Sequence, residues 1–101
     1  MNVFAALADP TRAEIVERLA DGPLSANEVV ACFDISQPAV SRHLRVLREA
    51  GLVSVDAAGR SRIYRLEAEP FRQLDDWLQR YRLFWGRRLD ALDRLISEEP
   101  A

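Results

Sequence analysis

Gln37, Ser41, Arg45 and Arg48 stand three or four positions apart, the spacing that brings side chains onto one face of an α-helix. Their chemistry is recognition of flat, polar edges. An arginine fork donates two parallel bonds to guanine O6 and N7 or to a phosphate, a glutamine amide pairs with adenine, and a serine hydroxyl serves either base. Pro38 and Arg42 border the same face near its N-terminal end, the part of a helix-turn-helix protein that reaches base edges. Covalent chemistry is excluded on geometry: Ser41 and His43 are two positions apart and diverge around a helix, so no nucleophile stands beside a base. There is no phosphate loop and no metal motif either.

A face can read DNA only if the opposite face is anchored. Val40, Leu44 and Leu47 supply that anchor as an apolar stripe on the other side of the helix. Ser36 is a fitting N-cap, Pro38 is tolerated in the first turn and Gly51 ends the segment, so a recognition helix is predicted over 37–50. Ahead of it, Ser25 and Glu28 form a capping box that starts a helix through Val29, Val30 and Phe33, broken at Asp34-Ile35. Two helices joined by so short a turn make 25–51 a helix-turn-helix unit.

The flanks complete the frame. Asp9-Pro10 is an N-cap with proline at the first helical position, Ile15, Val16 and Leu19 form a stripe ending at Gly22, and Pro23-Leu24 links onward. Val3, Phe4 and Leu7 have the spacing of a short N-terminal helix. Leu52–Val55 and Ile63–Leu66 read as the two strands of a β-hairpin wing over 52–66, joined by a loop at 56–60. Strand alternation turns Arg60 and Arg62 to one side and Arg65 to the other. Arg60 and Arg62 are therefore the candidates for phosphate or minor-groove contact, while an ion pair with a local acid accounts for Arg65 equally well. From 69 to 97 an unbroken helical pattern follows. Phe71, Leu74, Leu78, Tyr81, Trp85, Leu92 and Leu95 fall near heptad spacing, and Trp77, Phe84 and Leu89 widen the stripe. The fold class expected is mainly α with a small β-hairpin: a winged helix-turn-helix of five helices and a two-stranded wing, one domain over 1–101.

The net charge of -2 does not oppose a nucleic-acid partner once its distribution is considered. Between Gln37 and Leu66 six arginines (42, 45, 48, 60, 62 and 65) face two acids, Glu49 and Asp56; the rest of the chain has eight arginines against fourteen acids. A basic module sits in an acidic body. Cys32 is the only cysteine, which rules out an intramolecular disulfide and a paired thiol site, and its place among apolar neighbours predicts a small buried side chain. With no basic-then-apolar leader and no apolar run long enough to cross a bilayer, a cytoplasmic protein without membrane association is expected.

Ala6-Leu7-Ala8-Asp9-Pro10-Thr11-Arg12, Ser36-Gln37-Pro38-Ala39-Val40-Ser41-Arg42-His43-Leu44 and Leu47-Arg48-Glu49-Ala50-Gly51-Leu52-Val53 together closely resemble the ArsR/SmtB family of bacterial winged-helix repressors. The wing and the long last helix fall where that family has them. The resemblance implies a homodimer built from the terminal helices and repression by occupancy of an imperfect palindrome in a promoter. Phe4, Trp77, Tyr81, Phe84, Trp85 and Leu92 are the interface candidates, since a helix of about 40 Å outruns the body it starts from and large aromatic groups anchor interfaces.

Many members of that family sense metals through paired cysteines ahead of the recognition helix, or through Asp, His and Glu ligands on the last helix. Neither set is present here, so no metal and no cofactor is expected. Asp75, Asp76, Asp90 and Asp93 fit a solvated face paired with Arg72, Arg80 or Arg94. His43, the sole histidine, fits packing or a phosphate bond better than a metal, which needs several converging ligands. A small-molecule effector at the aromatic interface is left open by side-chain type alone. The competing function is a winged helix used only for protein contacts, with the acidic body as its working surface.

Overall fold

The computed structural model describes residues 3–98. Among these it holds α1 (Val3–Leu7), α2 (Pro10–Ala20), β1 (Leu24–Ser25), α3 (Ala26–Ala31), α4 (Gln37–Glu49), β2 (Val53–Ala58), β3 (Ser61–Leu66) and α5 (Ala68–Glu98). The chain divides into two units, one running to Pro70 and one from Phe71 onward.

In the first unit each helix begins where its cap dictates. Asp9 accepts from the Arg12 amide at 3.0 Å, and Pro10 occupies the first turn of α2. Ser25 accepts from the Glu28 amide at 3.1 Å while Glu28 accepts from the Ser25 amide at 3.0 Å, closing both halves of the capping box. Ser36 accepts from the Ala39 amide at 3.2 Å and starts α4. The other end of α4 closes as a Schellman motif. Gly51 turns through a φ of +78°, its amide donates to the Arg48 carbonyl, and Leu52 donates to the Leu47 carbonyl at 3.0 Å.

Among the described residues the core lies wholly in this unit. Ile15 and Leu19 of α2, Val29 of α3, Val40, Leu44 and Leu47 of α4, Leu52, and Val53 and Tyr64 of the sheet are buried, together with Ala6 of α1. The stripe read from α4 therefore faces inward, and its arginine-bearing face is left to solvent.

The sheet corrects the sequence reading in two places. Three strands are present, in the order β1-β3-β2, because Leu24 pairs with Tyr64 and Ser25 with Ile63 where the sequence reading has only a link. Two residues carry no periodicity, so β1 exists through its partner: β3 has a free edge, and the backbone groups along it need bonds. The wing is also longer than its apolar residues mark. Ala57 pairs with Arg62 and Ala58 with Ser61, which shortens the expected 56–60 loop to Gly59-Arg60. Gly59, at φ +63°, provides the positive φ that a two-residue hairpin turn places first.

α3 ends at Ala31, short of Phe33, and Cys32 is its C-cap. The thiol is exposed rather than buried, and donates to the Glu28 carbonyl at 3.2 Å. Apolar neighbours in the sequence do not bury Cys32, because α3 turns Val29 inward and leaves Ala31 and Cys32 exposed.

α5 supplies the second unit with one helical surface. Trp77 and Tyr81 stack with ring centroids 4.3 Å apart, Phe84 and Trp85 meet edge to face at 5.5 Å, and the Arg88 guanidinium lies over both of the latter rings. Among the described residues none beyond Tyr64 is buried. No described helix is long and apolar enough to cross a membrane.

Candidate nucleic-acid interface

α4 is seated by Val40, Leu44 and Leu47, and that seat decides which side chains are left outward. Gln37, Pro38, Ser41, Arg42, Arg45 and Arg48 are all exposed, as are Arg60 and Arg62 on the wing. Helical spacing alone puts the first six on one side of α4; the fold adds Arg62 to them. On β3, Arg62 shares a face with Tyr64 and with the Ala57 opposite it. That face turns toward α4, so Ser41, Leu44, Arg45, Arg48, Arg62 and Tyr64 line one open cleft of about 300 Å³. Three guanidinium groups and two hydroxyls border it without any carboxylate. Such a surface suits the anionic backbone and the polar edges of a duplex.

Arg60 borders a second, smaller hollow of about 190 Å³ with Ser25, Ala26, Asn27, Ser61 and Arg62. Sequence reasoning missed Ser25, Asn27 and Ser61 here because the β1–β3 pairing that joins the α3 start to the wing has no local signal. Arg65 stands apart: its Nε lies 3.1 Å from Asp56 Oδ2, a surface ion pair.

His43 is half-buried beside the N-terminus of α2. Its Nδ1 lies 3.3 Å from Arg12 Nη1 and 3.9 Å from Asp9 Oδ2. The Asp9 carboxyl is held below the usual carboxylate range, first by the bond from the Arg12 amide and further by the Arg12 guanidinium and by His43 whenever its ring is protonated. Sequence reasoning passed over Asp9 and Arg12 as partners of His43; no spacing rule connects residues so far apart in the chain. Among the described residues no group of three His, Cys, Asp or Glu side chains is arranged to hold a metal ion.

The apolar side chains of α5 are exposed: Trp77, Tyr81, Phe84, Trp85 and Leu92, with Phe84 at 59%. Phe4 of α1 is half-exposed.

Capped helix pair, exposed basic helix face and hairpin together define a winged helix-turn-helix protein. A helix-turn-helix domain description matches residues 7–56. The chain is 46% identical over 98 residues to the HTH-type transcriptional regulator Rv2034 of Mycobacterium tuberculosis, covering 97% of this chain and 89% of that protein. It is 34% identical over 77 residues to the transcriptional repressor SdpR of Bacillus subtilis, covering 76% and 86%. The solved structure of an ArsR-like transcriptional regulator from Rhodococcus sp. RHA1 superposes with a TM-score of 0.72 at 34% identity, covering 92% of this chain and 88% of that one. The chain belongs to the ArsR/SmtB family of transcriptional regulators. Membership makes it a DNA-binding regulator and not an enzyme.

Proposed function

We propose that this protein is a cytoplasmic homodimeric repressor that lays α4 in the major groove of an imperfect palindrome. Gln37, Pro38, Ser41, Arg42 and Arg45 approach base edges, while Arg48, Arg60 and Arg62 hold the flanking phosphates. The observation that carries this reading is the cleft in which Arg45, Arg48 and Arg62 converge, open to solvent and bordered by no acid. Repression is supported by the likeness to SdpR, a transcriptional repressor by name.

The dimer rests on α5. Its aromatic side chains stay exposed in a single chain, and a contiguous apolar surface of that kind calls for a partner. A second copy supplies one by two-fold symmetry, with α1 and Phe4 adding to the contact. Two recognition helices about one turn of DNA apart then demand a symmetric operator. The test is a fluorescence titration with duplex from upstream of the protein's own gene against scrambled duplex, at several salt concentrations, with the stoichiometry fixed by sedimentation. Two chains per site and preference for the upstream duplex are expected; equal affinity for both duplexes overturns the reading.

A further inference from the structure

Behind the recognition helix lies a polar cluster that none of the DNA-facing residues joins. The Arg12 guanidinium donates from Nε to the Ala6 carbonyl at 2.6 Å and from Nη2 to the Ala5 carbonyl at 3.3 Å. These carbonyls lie toward the end of α1, and that of Ala5 also accepts from the Ala8 amide at 3.3 Å. The remaining nitrogen, Nη1, points to His43 Nδ1 at 3.3 Å. One side chain of α2 thus joins α1 to α4.

A guanidinium only donates, so this contact is a hydrogen bond only when His43 Nδ1 presents its lone pair, with the proton of the neutral ring on Nε2. Protonation at Nδ1 removes Arg12's acceptor and sets two cations 3.3 Å apart. The acceptor then within reach is Asp9 Oδ2, 3.9 Å away and already bonded to the Arg12 amide. A hydrogen bond to it needs the ring to travel about 1 Å. His43 is rooted on α4 between Arg42 and Arg45, so its displacement is passed to the residues that face DNA.

We propose that His43 is a positioning residue for DNA recognition: through Arg12 it holds α4 at its reading angle only while the ring is neutral, and protonation exchanges Arg12 for Asp9 and relaxes sequence preference. From α2 the groups facing the ring are Asp9 and Arg12, and α1 stands behind Arg12 with uncharged carbonyls. On α4 itself Arg42 is adjacent. Among the described residues no hydrogen bond or ion pair joins His43 to α3 or β2.

This inference rests on α4 reading bases, and the experiment separates the two. Affinity is measured at constant salt for a duplex selected for tight binding and for a scrambled one, from about pH 8 to about pH 5.5, the span in which imidazoles change charge. An added positive charge by itself strengthens both duplexes alike and leaves their ratio unchanged. Repositioning lowers the ratio, by roughly tenfold for one lost charge-assisted bond. In His43→Asn, Oδ1 takes the place of Nδ1 and accepts from Arg12 at every pH, so the ratio is expected to stay high and flat.

Because His43 is the only histidine, nitrogen NMR reads its tautomer directly, and Nε2–H at high pH is expected. Arg12→Lys keeps the charge but not the three-way fork, and is expected to show the low acid ratio at every pH. A wild-type ratio indifferent to pH, an unchanged fall in His43→Asn, an Nδ1–H tautomer at high pH, or wild-type behaviour of Arg12→Lys each overturns the proposal. Absence of any preference at pH 8 overturns the reading of α4 as well.

Discussion

Arg45 of α4 and Arg62 of β3 border the same cleft, although one belongs to the recognition helix and the other to the wing. Sequence reasoning gives them separate duties, a base for Arg45 and the backbone for Arg62. A shared cleft makes them neighbours on one stretch of duplex, and neighbours in one polar network do not act independently. Arg45→Ala is expected to cost about 1 to 3 kcal/mol of operator binding and to relax preference at one base step. Arg62→Ala is expected to weaken all sequences alike and flatten the salt slope by about one. The double variant is expected to depart from the sum by at least about 0.5 kcal/mol, and a strictly additive cycle in anisotropy titrations would sink the shared-cleft argument.

Much of this arrangement was legible in the sequence because it is local. The caps at Asp9, Ser25 and Ser36 act within one turn, and the alternation of Val40, Leu44 and Leu47 with arginines is a property of a single helix. What stayed hidden depends on two segments meeting. β1 is a strand only because β3 lies beside it, Ala57 and Ala58 pair only because the turn at Gly59 is tight, and the Arg12 bond to His43 crosses from one helix to another. Cys32 is expected inward from its apolar sequence neighbours, yet it is exposed, because the face that α3 buries is that of Val29.

Gly51 gives a sharp test of how α4 is terminated. Its φ of +78° is one that side chains with a Cβ adopt at a cost, while a Cβ built there meets no atom within 4 Å. Gly51→Ala is therefore a pure backbone perturbation, expected to lower stability by about 1 kcal/mol with no steric clash. Urea unfolding measures it. A gain in stability would mean that the Schellman closure is not what ends the helix.

The capping box predicts a particular pH dependence. Glu28 is held below the usual carboxylate range by the bond from the Ser25 amide and by the Ser25 hydroxyl. A carboxylate whose folded pKa is depressed stabilises the fold above the unfolded value, and that contribution disappears as pH falls through the folded one. Glu28→Ala should thus be less stable than wild type at neutral pH, and the gap should narrow in acid as the carboxylate is protonated. Parallel denaturant titrations at neutral and acid pH check this, a constant gap being the contrary result.

On α5, Phe84 is exposed, meets Trp85 edge to face and lies under Arg88. If a second copy covers this surface, Phe84→Asp puts an unpaired charge into an apolar contact and should shift sedimentation from dimer to monomer at micromolar concentration. Operator affinity should then fall steeply, since the operator is held by one reading head instead of two. Far-ultraviolet circular dichroism separates this from unfolding, because the buried core lies in the other unit. An intact dimer with unaltered DNA binding would place the interface elsewhere.

Arg65 provides the contrast for Arg62, three positions earlier on the same strand. Strand alternation turns the two to opposite faces: Arg62 toward the α4 cleft, Arg65 toward Asp56, which it meets at 3.1 Å. Both members of that pair are well exposed, so water and salt screen it, and Arg65→Ala is expected to change stability by no more than about 1 kcal/mol. Its salt slope for DNA binding should match wild type, because a guanidinium already facing a carboxylate releases no counterion from a phosphate. Arg62→Ala lowers the slope under the same conditions. If the two variants lose slope equally, charge in the wing acts without regard to direction, and the division of β3 into a DNA-facing and an ion-paired side is wrong.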